Sequence, residues 1–167
     1  MPELAGRICI CNTSPLFYLH QVERLPLLKD LYDGIVTTPE VQEELAAGAA
    51  GGEDVPDLFR YDWIRIRPVA IPSYLDLITD LGRGEASVLA LGLESRATSL
   101  LVIDDKLGRQ IARLRGLSVT GTAGVLLKAK QLGKIAVVKP ILDDIVRAGF
   151  RLHPEVVADI LSLADED

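Results

Sequence analysis

Short runs rich in Val and Ile alternate along this chain with stretches of helical length and spacing, and that rhythm restricts the fold more than any other feature. Strand-like runs fall at 8–11, 34–37, 63–69, 100–103 and 117–120. Helical spacing, often opened by Pro or a polar cap, marks 15–32, 39–47, 72–81, 85–96, 106–115, 122–132, 141–148 and 154–164. Strands separated by helices on this scale run parallel, because each crossover carries the chain back to the same edge in a right-handed sense. The expected architecture is α/β: a three-layer α/β/α sandwich around a mainly parallel central sheet. With 167 residues the chain can bury one sizeable core, so a single domain over 1–167 is expected. The Gly- and Ala-rich stretch 46–56 reads as a flexible loop. The acidic tail 164–167 reads as frayed.

A formal charge of −6 argues against coating nucleic acid by bulk electrostatics, so any such site must be local. Cys9 and Cys11 are the only cysteines, and alternation along a strand points both to one face. Two thiolates fall short of the four ligands of a structural zinc site, and buried free thiols suit a reducing compartment. No basic-then-apolar leader and no span-length apolar run is present, so the expectation is a soluble, cytoplasmic protein without membrane contact.

Parallel sheets bind ligands at the carboxyl edge, where strands end and helices begin. Acids crowd that edge. "LLVIDD" sets Asp104 and Asp105 directly after an apolar strand, where mutual repulsion calls for a cation, a proton or a helix N-terminus. Helix capping by one of the pair is the competing account. "GRGEAS" leads straight into Glu85, and "TTPEVQEEL" puts Glu44 on the helical face of Val41, with Glu43 farther toward solvent. Asn12 ends the first strand in "ICICNTSPLF". Convergence of Asn12, Glu44, Glu85, Asp104 and Asp105 on one cleft would suit a hard cation such as Mg²⁺ or Mn²⁺, which serves phosphodiester chemistry.

Taken in order, "NTSPLFYL", "TTPEVQEEL", "GRGEASVLALGLE", "LLVIDDKLGRQIA" and "LSVTGTAGVLLKAKQLGKI" resemble a PIN domain, with "SPL", "GEA", "DDK" and "TGT" pointing to one branch. PIN domains form the small nuclease fold found in toxin ribonucleases of bacterial and archaeal toxin–antitoxin pairs. The resemblance covers nearly the whole chain and implies a metal-dependent endoribonuclease of single-stranded RNA. By it, Glu44, Glu85 and Asp105 match the acidic metal positions for Mg²⁺ or Mn²⁺, with Asp104 beside them. It also implies a homodimer and a small antitoxin that blocks the cleft.

Asn12 departs from the pattern, since many PIN nucleases carry an aspartate there. An amide oxygen can still coordinate a hard cation or orient its water, but the site loses one negative charge. A site that no longer cuts, on a module that binds RNA or a protein partner, is the alternative. Ser14 and Thr13 either supply hydroxyls to the site or cap the helix after them. Thr122 follows Gly121 at a strand-to-helix turn whose free N–H groups can hold a phosphate. Lys106, Arg109 and Arg113 recur at helical spacing and form either an RNA-facing stripe or a solvated face. A receiver-type phosphoacceptor fits less well, because its acidic pair follows the first strand, where this chain has Cys11 and Asn12. No P-loop or dinucleotide fingerprint is present.

Overall fold

The computed structural model describes residues 7–166. Five strands, β1 (Ile8–Cys11), β2 (Gly34–Thr37), β3 (Ile64–Ile66), β4 (Ser99–Val102) and β5 (Val119–Thr120), form one sheet in the order β3-β2-β1-β4-β5. All four pairings are parallel. Cys9, Ile10 and Cys11 of β1, and every residue of β4, are buried. Alternate strand residues face opposite ways, so the central strands are covered on both sides, as a parallel sheet requires.

Among the described residues nine α-helices connect and flank the strands: α1 (Thr13–Gln21), α2 (Leu27–Leu31), α3 (Pro39–Ala50), α4 (Ser73–Asp76), α5 (Arg83–Glu94), α6 (Lys106–Leu114), α7 (Thr122–Gln131), α8 (Lys139–Arg147) and α9 (Pro154–Leu163). The most buried is α5, which packs on β1 and β4 and against α3, α4 and α6. A second group joins α1 and α2 to α7, with α8 on α1 and α9 on α7. The layered parallel architecture read from the sequence is the observed one. No helix among the described residues is long and apolar enough to cross a membrane.

Several boundaries differ from the sequence reading, each for a local reason. The helix expected over 15–32 is two helices. Glu23 adopts a left-handed φ of 58°, Arg24 N–H bonds back to the Leu19 carbonyl at 2.7 Å, and Pro26 then starts α2. The strand expected over 63–69 shrinks to Ile64–Ile66, because Pro68 cannot donate to a ladder; the last bond runs from Arg67 N–H to the Thr37 carbonyl at 2.8 Å. The helix expected over 72–81 keeps one turn, Ser73–Asp76. In the opposite sense α3 continues to Ala50, so the loop expected from residue 46 begins at Gly51. Alanines favour helix enough to carry it past Gly48.

Cys9 and Cys11 are free and buried, with Sγ atoms 3.5 Å apart. Burial pushes the Cys9 thiol above its ordinary value, and its hydrogen bond with Cys11 adds to the effect. They serve as core residues.

The expected fraying of 164–167 is corrected for the described part; Asp167 lies outside the described residues. Ala164 is buried, and Lys130 Nζ donates to its carbonyl. Glu166 accepts from Lys130 Nζ at 2.9 Å, Val138 N–H at 2.7 Å and Lys139 N–H at 2.9 Å, so it supplies acceptors to the open start of α8. Burial alone would raise the Glu166 carboxyl. The bonds from Val138, Lys130 and Lys139 outweigh it and hold the group at about 2.

A lowered carboxyl stabilises the folded state above its unfolded value of 4.5, and that contribution fades as pH falls toward 2. Glu166→Gln is therefore expected to cost about 1–2 kcal/mol at neutral pH and almost nothing near pH 2. Urea unfolding of both proteins across that range measures the difference.

Candidate active site

The sheet order reverses between β1 and β4, since the chain proceeds from β1 outward to β3 and then crosses back to β4. Crevices form at such a reversal, beyond the carboxyl ends of the strands. Asn12 leaves β1 there and Asp104 and Asp105 leave β4, with Val102 paired to Cys11. Two overlapping hollows of about 360 and 320 Å³ meet at this place and share Asn12, Ser14, Tyr18 and Glu85. Glu44 lines the first and Asp104 and Asp105 the second. All five sequence-nominated groups thus border one continuous depression.

A buried polar relay places Glu44. Thr38 caps α3, accepting from Val41 N–H at 3.2 Å; its hydroxyl meets Ser87 Oγ at 2.7 Å, and Ser87 donates to the Gly84 carbonyl at 2.7 Å. The relay locks the start of α3 to the start of α5. Glu44, on the second turn of α3, then lies against the backbone of Gly84. A Cβ at Gly84 would collide with Glu44 Oε1 and stand 2.8 Å from Oε2. The second glycine of "GRGE" therefore makes room for a carboxylate from another helix. Thr13 Oγ1 donates to Glu44 Oε1 at 2.7 Å, so this hydroxyl serves the site and not a helix cap.

Asp104 is the most heavily bonded of the acids. It accepts from Ser14 Oγ at 2.9 Å, Thr122 N–H at 2.7 Å and Thr122 Oγ1 at 2.7 Å. Gly121 permits this, because a Cβ there would stand 2.9 Å from Asp104 Oδ1. The phosphate-holding role expected of Thr122 is corrected accordingly: it is buried, and both its donors are spent on Asp104. Asp105 is exposed and caps α6, accepting from Gly108 N–H at 2.9 Å through Oδ2. Capping and site membership coexist in that residue.

Glu85 stands between the flanking acids. Burial pushes its carboxyl above the ordinary range; its own backbone N–H opposes this, the charges of Glu44 and Asp105 add to it, and the Asn12 side chain opposes it by hydrogen bonding. Asn12 is 3 % exposed, and its Oδ1 is buried with no partner. An orphaned carbonyl oxygen beside a carboxyl raised by burial and by like charges fits a hard cation with oxygen ligands. Among the described residues no three His, Cys, Asp or Glu side chains form a ready cage for a metal. The donor set fits a hard divalent ion that keeps several waters and takes one or two carboxylates directly.

Sequence reasoning missed Tyr18, Glu53, Phe150 and Arg151, which also line the depression. Burial raises the Tyr18 phenol, Glu53 and Asp104 add to the rise, and Arg151 opposes it, so charges of both signs surround that ring. Lys106, Arg109 and Arg113 line an adjoining groove of about 510 Å³ that shares Asp104, Phe150 and Arg151 with the depression. His20 pairs with Asp54 at 3.0 Å, away from the acids.

A family model described as a PIN domain matches residues 8–166, and the chain belongs to the PIN-domain family. PIN domains are generally nucleases and typically use divalent metals. No curated protein matches the chain.

A carboxyl raised above 4.5 holds a proton in the folded state that the unfolded chain has released, so this contribution lowers stability as pH climbs through that window. Glu85→Gln is expected to stabilise the metal-free protein at neutral pH by less than about 1 kcal/mol, because solvent screens a half-exposed group. Below pH 4.5 the two proteins should converge in urea unfolding with chelator present.

Proposed function

We propose that this PIN-domain protein is a Mg²⁺- or Mn²⁺-dependent endoribonuclease that cuts single-stranded RNA, working as the toxin of a toxin–antitoxin pair. The observation that carries this reading is the buried, unpartnered Asn12 Oδ1 at the meeting point of Glu44, Glu85, Asp104 and Asp105. Residues 8–166 act as one catalytic domain. The motif resemblance supports a homodimer in a reducing cytoplasm, kept inactive by a small antitoxin over the depression.

In this mechanism Glu85 with Glu44 or Asp105 would hold the ion, and Asn12 Oδ1 would orient a bound water or join the ligands. When bound, the ion would supply charge neutralisation at the scissile phosphate and would lower the pKa of an attacking water. Asp104 keeps the ends of β4, α1 and α7 in register through its three bonds. Thr13 holds Glu44 in place. Lys106, Arg109 and Arg113 offset the acids and attract the RNA backbone.

Purified protein, freed of any partner, should cleave unstructured RNA with Mn²⁺ and stop on addition of EDTA. Asp105→Asn is expected to lower the rate by on the order of a hundredfold or more. Binding of RNA by wild type without cleavage would instead support the non-cutting module, the alternative raised by the loss of one negative charge at Asn12.

Restoring the missing charge by Asn12→Asp should tighten Mn²⁺ binding by on the order of tenfold, about 1.4 kcal/mol. The same change should destabilise the ion-free protein by crowding Glu85 further. Calorimetric titration with Mn²⁺ and unfolding in EDTA check the two halves, and equal affinities would contradict the charge argument.

A further inference from the structure

The wall that faces the carboxylates comes from the short connection between α8 and α9. Gly149 turns the chain there with a left-handed φ of 114°. Phe150 follows and stacks on Tyr18 of α1, with ring centroids 5.0 Å apart and planes 21° from parallel. That stack ties the connection to the helix that leaves Asn12. Arg151 comes next and borders both the acidic depression and the basic groove.

Arg151 is exposed, and none of the ion pairs among the described residues uses it. Asp104, which lines both hollows with it, is held by Ser14 and Thr122. Arg109, across the groove, spends an Nη1 N–H on the Asp104 carbonyl at 3.1 Å, and its buried Nε has no partner. Of the basic side chains, Arg151 therefore stands on the wall common to the acidic depression and the basic groove, whereas Arg109 lines the groove alone. Guanidinium forks match phosphate oxygens in pairs, and a phosphodiester strand running from the acids into the groove would pass Arg151. The Tyr18–Phe150 pair beside it offers aromatic surface to an unpaired base.

We propose that Arg151 is a positioning residue that grips the phosphate next to the scissile one, directing single-stranded RNA from the acidic depression into the groove of Lys106, Arg109 and Arg113. The proposal rests on the nuclease reading above. It adds a contact from a segment that carries no motif.

The test is fluorescence anisotropy of a labelled unstructured RNA across a salt series in EDTA, where no cutting occurs. Arg151→Ala should weaken binding about five- to tenfold and reduce the log–log salt slope by about 0.7, the loss of one phosphate contact on a single strand. Arg151→Lys should restore the slope but only part of the affinity, since an ammonium lacks the paired geometry. Arg65→Ala, on β3 and outside both hollows, removes the same charge and should change neither quantity. In Mn²⁺ the Arg151→Ala effect should fall mainly on KM.

Unchanged affinity and slope in Arg151→Ala, or an equal loss in Arg65→Ala, would overturn the proposal. The nuclease reading would still stand if wild type cuts and Asp105→Asn does not. Wild type that neither binds nor cuts RNA would overturn both, whereas binding without cutting leaves the salt slope to decide on Arg151 alone.

Discussion

The Asp104 carboxylate is the tie on which the carboxyl edge of the sheet depends. Three bonds reach it from two helices: one from Ser14 on α1, two from Thr122 on α7. Those helices follow β1 and β5, the strands on either side of β4, so one side chain fixes the mouths of three neighbouring strands relative to one another. A half-buried carboxylate is costly to keep ionised unless donors surround it, and here two of the three are side-chain hydroxyls that have no other duty. The cleft is held open by hydrogen bonds within its own wall, which leaves the remaining acids at liberty to meet a ligand.

Strain in the cluster falls on Glu85, the acid with charged neighbours on both sides. Apolar packing compensates: α5 buries eight residues, from Gly84 to Gly92, against the centre of the sheet. The first turn of this helix carries the unfavourable charge while the rest anchors it. Such a division is common where a site sacrifices stability for chemistry. The amide at Asn12 lightens the same load, because it brings a donor and an acceptor without another charge.

The strands, the helix alternation and the acids were legible in the sequence because each rests on a local pattern. Apolar runs of four residues marked β1, β2 and β4, and "LLVIDD" marked both a strand and its acidic end. The relay from Thr38 through Ser87 to Gly84 was not legible, since it joins residues 49 apart whose types also suit ordinary caps. Phe150 and Arg151 were missed for a related reason: they stand between two helices, with no periodicity, and acquire a place only when Phe150 meets Tyr18. The role of Asp104 was underread, because its partners Ser14 and Thr122 lie 90 and 18 residues away. The tail was misread from charge alone, although Glu166 finds three donors on α7 and at the start of α8.

Gly84 and Gly121 each leave a gap where a carboxylate from elsewhere in the chain comes to rest. A descendant that gained a single methyl at either place would keep every acid in its sequence, and much of its fold, while losing the arrangement those acids make. The small residues beside the acids thus belong to the site as much as the acids do.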